Sequence, residues 1–95
     1  AASSTGWTRP FQAADCYLDL SYKPEGQQGL LLGQLLGESK ASFDTARVAL
    51  IGPKGARLQT EEIEPNTGFR LTVGSVAAHH LELTLGQTTF KVALS

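Results

Sequence analysis

Two adjacent histidines, a single cysteine and a short acidic run carry most of the metal-ligand and nucleophile chemistry in this chain. A structural zinc ion takes four such ligands in a tetrahedron. His79-His80 would supply two of them only if both rings turned to one side, and neighbours on a strand point to opposite faces. Cys16 lies in a separate segment. Calcium requires six or more converging oxygens. In Glu61-Glu62-Ile63-Glu64 the same alternation separates Glu61 from Glu62, and no Asp-x-Asp-x-Asp series accompanies them. Serine, histidine and aspartate all occur, but not in a Gly-x-Ser-x-Gly elbow. Gly52-Pro53-Lys54-Gly55-Ala56 is too short for a phosphate loop, and Pro53 lacks a backbone donor. The last strand segment has neither the Asn nor the Asp of a Lys–Asn or Lys–Asp isopeptide bond. The expectation is a chain that is not an enzyme, with no catalytic residues, no metal site and no cofactor.

The elements that would have to position such residues are strands. Leu81-Glu82-Leu83-Thr84-Leu85 alternates apolar and polar side chains, which gives a strand one dry and one wet face. Phe69 to Val73 and Phe90 to Leu94 repeat the pattern. Cys16 to Tyr22 alternates too, with Cys16, Leu18, Leu20 and Tyr22 inward. Leu30 to Leu36 is apolar on both faces; Gly29, Gly33 and Gly37 argue against a helix there. Thr45 to Ile51 and Ala56 to Ile63 bring the count to about seven strands, the last extending from Thr88 to Leu94. Turns are expected at Pro24-Glu25-Gly26, Gly52-Pro53-Lys54-Gly55, Pro65-Asn66-Thr67-Gly68 and Gly86-Gln87. Glu38 to Asp44 reads as a loop, with a single helical turn between Glu38 and Thr45 as the one exception to an all-strand chain. The predicted fold is a small antiparallel β-sandwich, Greek-key or transthyretin-like. Residues 1–13 form a flexible or extended N-terminal arm and 14–95 the single domain.

Composition narrows the function classes. The chain has 95 residues, 41% hydrophobic and 18% charged, with a net charge of −1. That is too apolar for a disordered segment, and no basic block is present to neutralise a row of phosphates, so no nucleic-acid partner is expected. The Leu30–Leu36 run falls far short of the ~20 residues that a membrane helix needs, so this segment is not expected to insert directly into a membrane. One cysteine allows no internal disulfide, which leaves stability to the core; Cys16 reads as a small buried hydrophobe. Ala1-Ala2-Ser3-Ser4-Thr5-Gly6 reads as a linker, tag scar or processed end, so the chain is expected to be a piece of something longer.

The order of the strands resembles the carboxypeptidase-regulatory-like domain, a transthyretin-type sandwich. The likeness rests on Leu31-Leu32-Gly33-Gln34-Leu35, Ala46-Arg47-Val48-Ala49-Leu50, Leu58-Gln59-Thr60, Gly68-Phe69-Arg70-Leu71 and the hairpin Leu81–Leu85 with Phe90–Leu94. With Ala14-Asp15-Cys16-Tyr17-Leu18-Asp19-Leu20 in front, the chain is similar to the C-terminal β-domain of bacterial anti-sigma-factor-like proteins. Two stretches depart from the family pattern: Glu64-Pro65-Asn66-Thr67 before Gly68-Phe69, and Val76-Ala77-Ala78-His79-His80 in place of a Pro-x-Gly approach. The resemblance implies an accessory interaction or spacer module of a larger bacterial anti-sigma-like or surface protein, non-catalytic, with a protein partner or neighbouring domain. A self-assembling fibre or polymer subunit, using the arm for strand addition, is the alternative. A small hydrolase or metal-binding enzyme is the third reading. The compartment stays open, with the reading leaning to the periplasm or cell surface over the cytoplasm.

In-phase alternation places Leu18, Leu20, Leu35, Val48, Leu50, Phe69, Leu71, Val73, Leu81, Leu83, Leu85, Phe90, Val92 and Leu94 in the core. If Leu31, Gly33 and Leu35 face inward, Leu30, Leu32 and Leu36 must face outward on the same strand. Those three leucines need a cover. The candidates are the arm, through Trp7 or Phe11, and a partner chain or neighbouring domain, with a helical or two-sided buried segment as the remaining reading; Leu30, Leu32, Leu36, Trp7 and Phe11 are therefore the candidate partner-binding residues.

Overall fold

The computed structural model describes residues 6–13, 16–37, 46–64, 67–74 and 76–94. Eight strands build two antiparallel sheets: β1 (Trp7–Ala13), β2 (Cys16–Glu25), β3 (Gln28–Gly37), β4 (Ala46–Ile51), β5 (Arg57–Ile63), β6 (Gly68–Val73), β7 (His80–Leu85) and β8 (Thr88–Ala93). Sheet A runs in the order β1-β2-β3-β6 and sheet B in the order β5-β4-β7-β8. The described residues include no helix. The protein is a small all-β sandwich whose two inner faces share one core. The loop and single helical turn expected at 38–45 lie outside the described residues.

Strand pairing is local at the hairpins and long-range between them. β2 and β3 meet in a ten-pair ladder from Cys16↔Gly37 to Glu25↔Gln28. The two-residue connection Gly26-Gln27 needs a positive φ at its first position, and Gly26 supplies it at 61°. Gly86-Gln87 closes β7–β8 by the same device, again with φ 61° at glycine. At Gly52-Pro53-Lys54-Gly55 the Gly55 amide donates to the Gly52 carbonyl at 3.0 Å, the turn expected from the sequence. The turn expected at Pro65–Gly68 falls partly outside the described residues; beside it, Thr67 N–H donates to Glu64 O at 3.2 Å.

The eighth strand is the main difference from the sequence reading. Trp7–Ala13, inside the segment expected as an arm, pairs along its whole length with β2. Its inner positions are Trp7, Arg9, Phe11 and Ala13, opposite Tyr22, Leu20, Leu18 and Cys16. Arg9 at an inner position and Pro10 beside it erase the apolar period, so the strand left no rhythm to read. The Arg9 guanidinium lies over the Trp7 ring, 4.4 Å from its centroid, and the Trp7 and Tyr22 rings are 6.0 Å apart.

The core follows the expected faces almost throughout. Leu18, Leu20, Leu31, Leu35, Val48, Leu50, Leu71, Leu81, Leu83 and Leu94 have essentially no exposed side chain. Phe90, expected in the core, is only half-buried because β8 is an edge strand. Ala49 and Ile51 are buried from the outer side of sheet B, where the alternation predicts exposure. They sit on a central strand, Ala49 between Thr60 and Glu82 and Ile51 between Arg57 and His80.

Three glycines of β3 shape the inner face of sheet A. A Cβ on Gly29 would enter the ring of Tyr22, and one on Gly33 would enter the ring of Phe69. A Cβ on Gly37 would meet the Cys16 thiol at 3.0 Å. The inner face of β3 therefore alternates Gly29, Leu31, Gly33, Leu35 and Gly37, with each glycine a slot for a larger neighbour. Gly33 makes room for Phe69, its cross-strand partner in the same sheet.

Candidate functional site

The outer faces of the two sheets differ in chemistry, because pairing registers fix what stands beside what. On sheet B, Arg47 pairs with Glu62 and Glu82 with Lys91, and an Arg57–Glu82 ion pair spans 3.5 Å. Exposed pairs of this kind contribute about 0–1 kcal/mol each, but they leave the face wet and electrically balanced. On sheet A, Leu30 and Leu32 occupy the middle of the outer face and are half-buried. Leu36, 38% exposed, pairs with Tyr17, 53% exposed. Apolar side chains thus run along the outer side of β3, as the alternation required.

Polar groups rim this stripe. Lys23, Leu30 and Thr72 form one row across the sheet; Ser21, Leu32 and Arg70 form the next; Asp19, Gln34 and Gly68 form the third. Gly68 has no side chain, and a shallow depression of about 460 Å³ opens there, lined in part by Asp19, Leu32, Gln34 and Arg70. Asp19 brings a carboxylate from β2 and Arg70 a guanidinium from β6. Ser21 shares a hydrogen bond with the Thr8 hydroxyl at 3.1 Å. A floor at Leu32 with one acid, one base and the Gln34 amide can hold a side chain of either polarity. It pairs no nucleophile with a base.

The five candidate residues are not brought together. Trp7 and Phe11 lie on the inner side of β1, packed against the chain's own core. The expected cover of Leu30, Leu32 and Leu36 by either ring is corrected accordingly: the rings and the leucines are on opposite sides of sheet A. Tyr17, Asp19 and Arg70 join the leucines instead. The alternation had turned these three outward. What it could not give was the register that sets Tyr17 against Leu36 and Arg70 against Leu32.

The other chemical residues fall apart in space. His79 stands in the turn before β7, its Nδ1 2.8 Å from the Ala77 carbonyl. His80 begins β7, opposite Ile51 on one side and Ala93 on the other. Cys16 is buried. Glu61 shares the inner side of sheet B with Val48, and Glu62 the outer side with Arg47. Among the described residues no three His, Cys, Asp or Glu side chains gather where they could hold a metal ion. No helix among them is long and apolar enough to cross a membrane.

Comparisons with protein families, with curated proteins and with solved structures find no match for this chain.

Proposed function

We propose that this domain is a non-catalytic binding or spacer module, and that the outer face of sheet A is where a protein partner or neighbouring domain docks. The observation that carries the reading is the contrast between the two faces. Sheet B ends in balanced charge, whereas sheet A presents Leu30, Leu32, Leu36 and Tyr17, with a hollow beside Leu32. Apolar surface grouped this way and rimmed by polar side chains is the usual form of a protein-binding patch. Membership of a larger bacterial anti-sigma-like or surface protein is the family version of the same proposal, and rests on the strand motifs alone.

The alternative, a polymer subunit that donates its first strand to the next copy, requires β1 to leave β2. Trp7 and Phe11 packed on their own core favour the first reading.

A photo-crosslinking residue at Leu32, compared with one at Thr60 on sheet B, tests the proposal in the parent protein in its native cells. A discrete adduct from position 32 alone is expected. Equal or no adducts from the two positions would dismiss the outer face of sheet A as a docking site.

A further inference from the structure

Each sheet of an open sandwich has two edges, and an edge strand exposes backbone donors and acceptors that can recruit another strand. Three of the four edges here carry a blocking device. On β1, Pro10 removes a donor, and Arg9 sets a charged residue on the inner side of the edge, its guanidinium over the Trp7 ring. The β5 edge has a register shift opposite Leu50 and Ile51 that leaves Leu58 without a partner, and Glu61 is an acid on the inner side. For β6 the block comes from Gln59, whose side-chain amide donates to the Thr72 carbonyl.

The fourth edge, β8, is different. Thr88-Thr89-Phe90-Lys91-Val92-Ala93 pairs with β7 in unbroken register, with no proline, glycine, bulge or inward charge. Leu85 and Thr88 flank the two-residue turn, so they form the closely hydrogen-bonded pair. Parity then gives Phe90 and Val92 to the β7 ladder, and the Leu94 amide, which donates to His79 O, follows the same phase. The amides and carbonyls of Thr89, Lys91 and Ala93 are left directed at the open edge.

We infer that β8 is a self-pairing edge: two copies of this chain join antiparallel through β8, with Phe90 on the two-fold axis. The strand is complementary to itself in this register. Thr89 stands opposite Lys91 of the second copy, so no like charges meet, whereas a register centred on Lys91 sets two lysines face to face. Centring on Phe90 brings two half-buried rings together on the inner side, where each covers the other's remaining apolar surface. Sheet B becomes an eight-stranded sheet across the pair. The contact is isologous and closes on itself, so it yields a dimer and not a fibre. Its surface is separate from the outer face of sheet A.

Sedimentation velocity of the 95-residue chain over a concentration series tests the pairing, with two variants of opposite expectation. Thr89→Glu sets two acids against the two Lys91 side chains and tightens the dimer. Thr89→Lys sets lysine against lysine twice and loosens it. Cross-strand charge pairs support shifts of about 2- to 30-fold in dissociation constant for the two contacts together. Both variants lose the Thr84–Thr89 hydroxyl bond, 3.1 Å in length, so that loss cannot explain a difference between them. A chain that stays monomeric to its solubility limit overturns the inference. So do variants that shift together, or a dimer abolished by Leu32→Ser but indifferent to position 89; this last result would leave the docking face of sheet A standing alone.

Discussion

The ring of Phe69 occupies the space that a side chain at position 33 would need. Gly33→Val therefore has to push the ring aside, and overpacking of this kind costs about 1–3 kcal/mol despite the better strand propensity of valine. Phe69→Ala is expected to cost about 3–5 kcal/mol. Because the two changes compete for one volume, the double variant should lose less than the sum, by about 0.5–3 kcal/mol. Urea unfolding of the four proteins measures the cycle, and strict additivity would show that the ring is not in the slot. A second residue effect lies at Ala78, which holds φ at 60°, a conformation that glycine adopts without strain. Ala78→Gly should raise stability by a few tenths to about 1 kcal/mol after the entropy of the unfolded chain is subtracted. A lowered midpoint would contradict that strain. The sequence gives no sign of this conformation, because nothing in Val76-Ala77-Ala78 marks a positive φ. Core facing was legible because period two is a local property; the partner filling a glycine's slot was not, because it comes from another strand.

Strand β1 shows where that legibility ended among the elements. Its inner positions include a charged residue, so no window of hydrophobicity marks it, yet its ladder with β2 is complete. It should be worth more than a tail. Removing residues 1–13 strips Trp7 and Phe11 from the core edge and exposes the donors of β2. Loss of those two half-buried rings should cost about 2–4 kcal/mol. Chemical denaturation with far-UV circular dichroism measures the loss, and a truncated chain as stable as the parent would mean that β1 is not docked in solution. The β7–β8 hairpin was visible because Gly86-Gln87 separates two alternating runs, whereas the β2–β3 turn falls at Gly26-Gln27, after the expected Pro24-Glu25-Gly26, because β2 continues through Glu25. The bulge opposite Leu50 and Ile51 was invisible, since one extra residue leaves no mark in composition.

For the molecule as a whole, sheet order is the part that sequence reading leaves undetermined. β3 pairs with β6 and β4 with β7, each across an intervening hairpin element or chain crossing between the sheets. Alternation says that a strand has a dry face; it does not say which distant strand lies beside it. The outer face of sheet A was predicted as a leucine stripe, but the rows that surround it depend on these distant pairings. The same topology governs kinetics. Loops must close before β3–β6 and β4–β7 contacts can form, so refolding is expected in milliseconds to seconds, as for other sandwiches rich in non-local pairs. Stopped-flow refolding tests this, and a relaxation complete within microseconds would be incompatible with the strand order.

The only tryptophan of the chain is Trp7, on an edge strand, under the Arg9 guanidinium and near Tyr22. Its fluorescence therefore reports on one strand rather than on the whole fold. Detachment of β1 alone would red-shift the emission and end energy transfer from Tyr22 while the other seven strands kept their dichroism. The chain thus carries its own optical gauge of that first strand, readable without any label, and a gap between the two signals on heating would measure how independently β1 comes away.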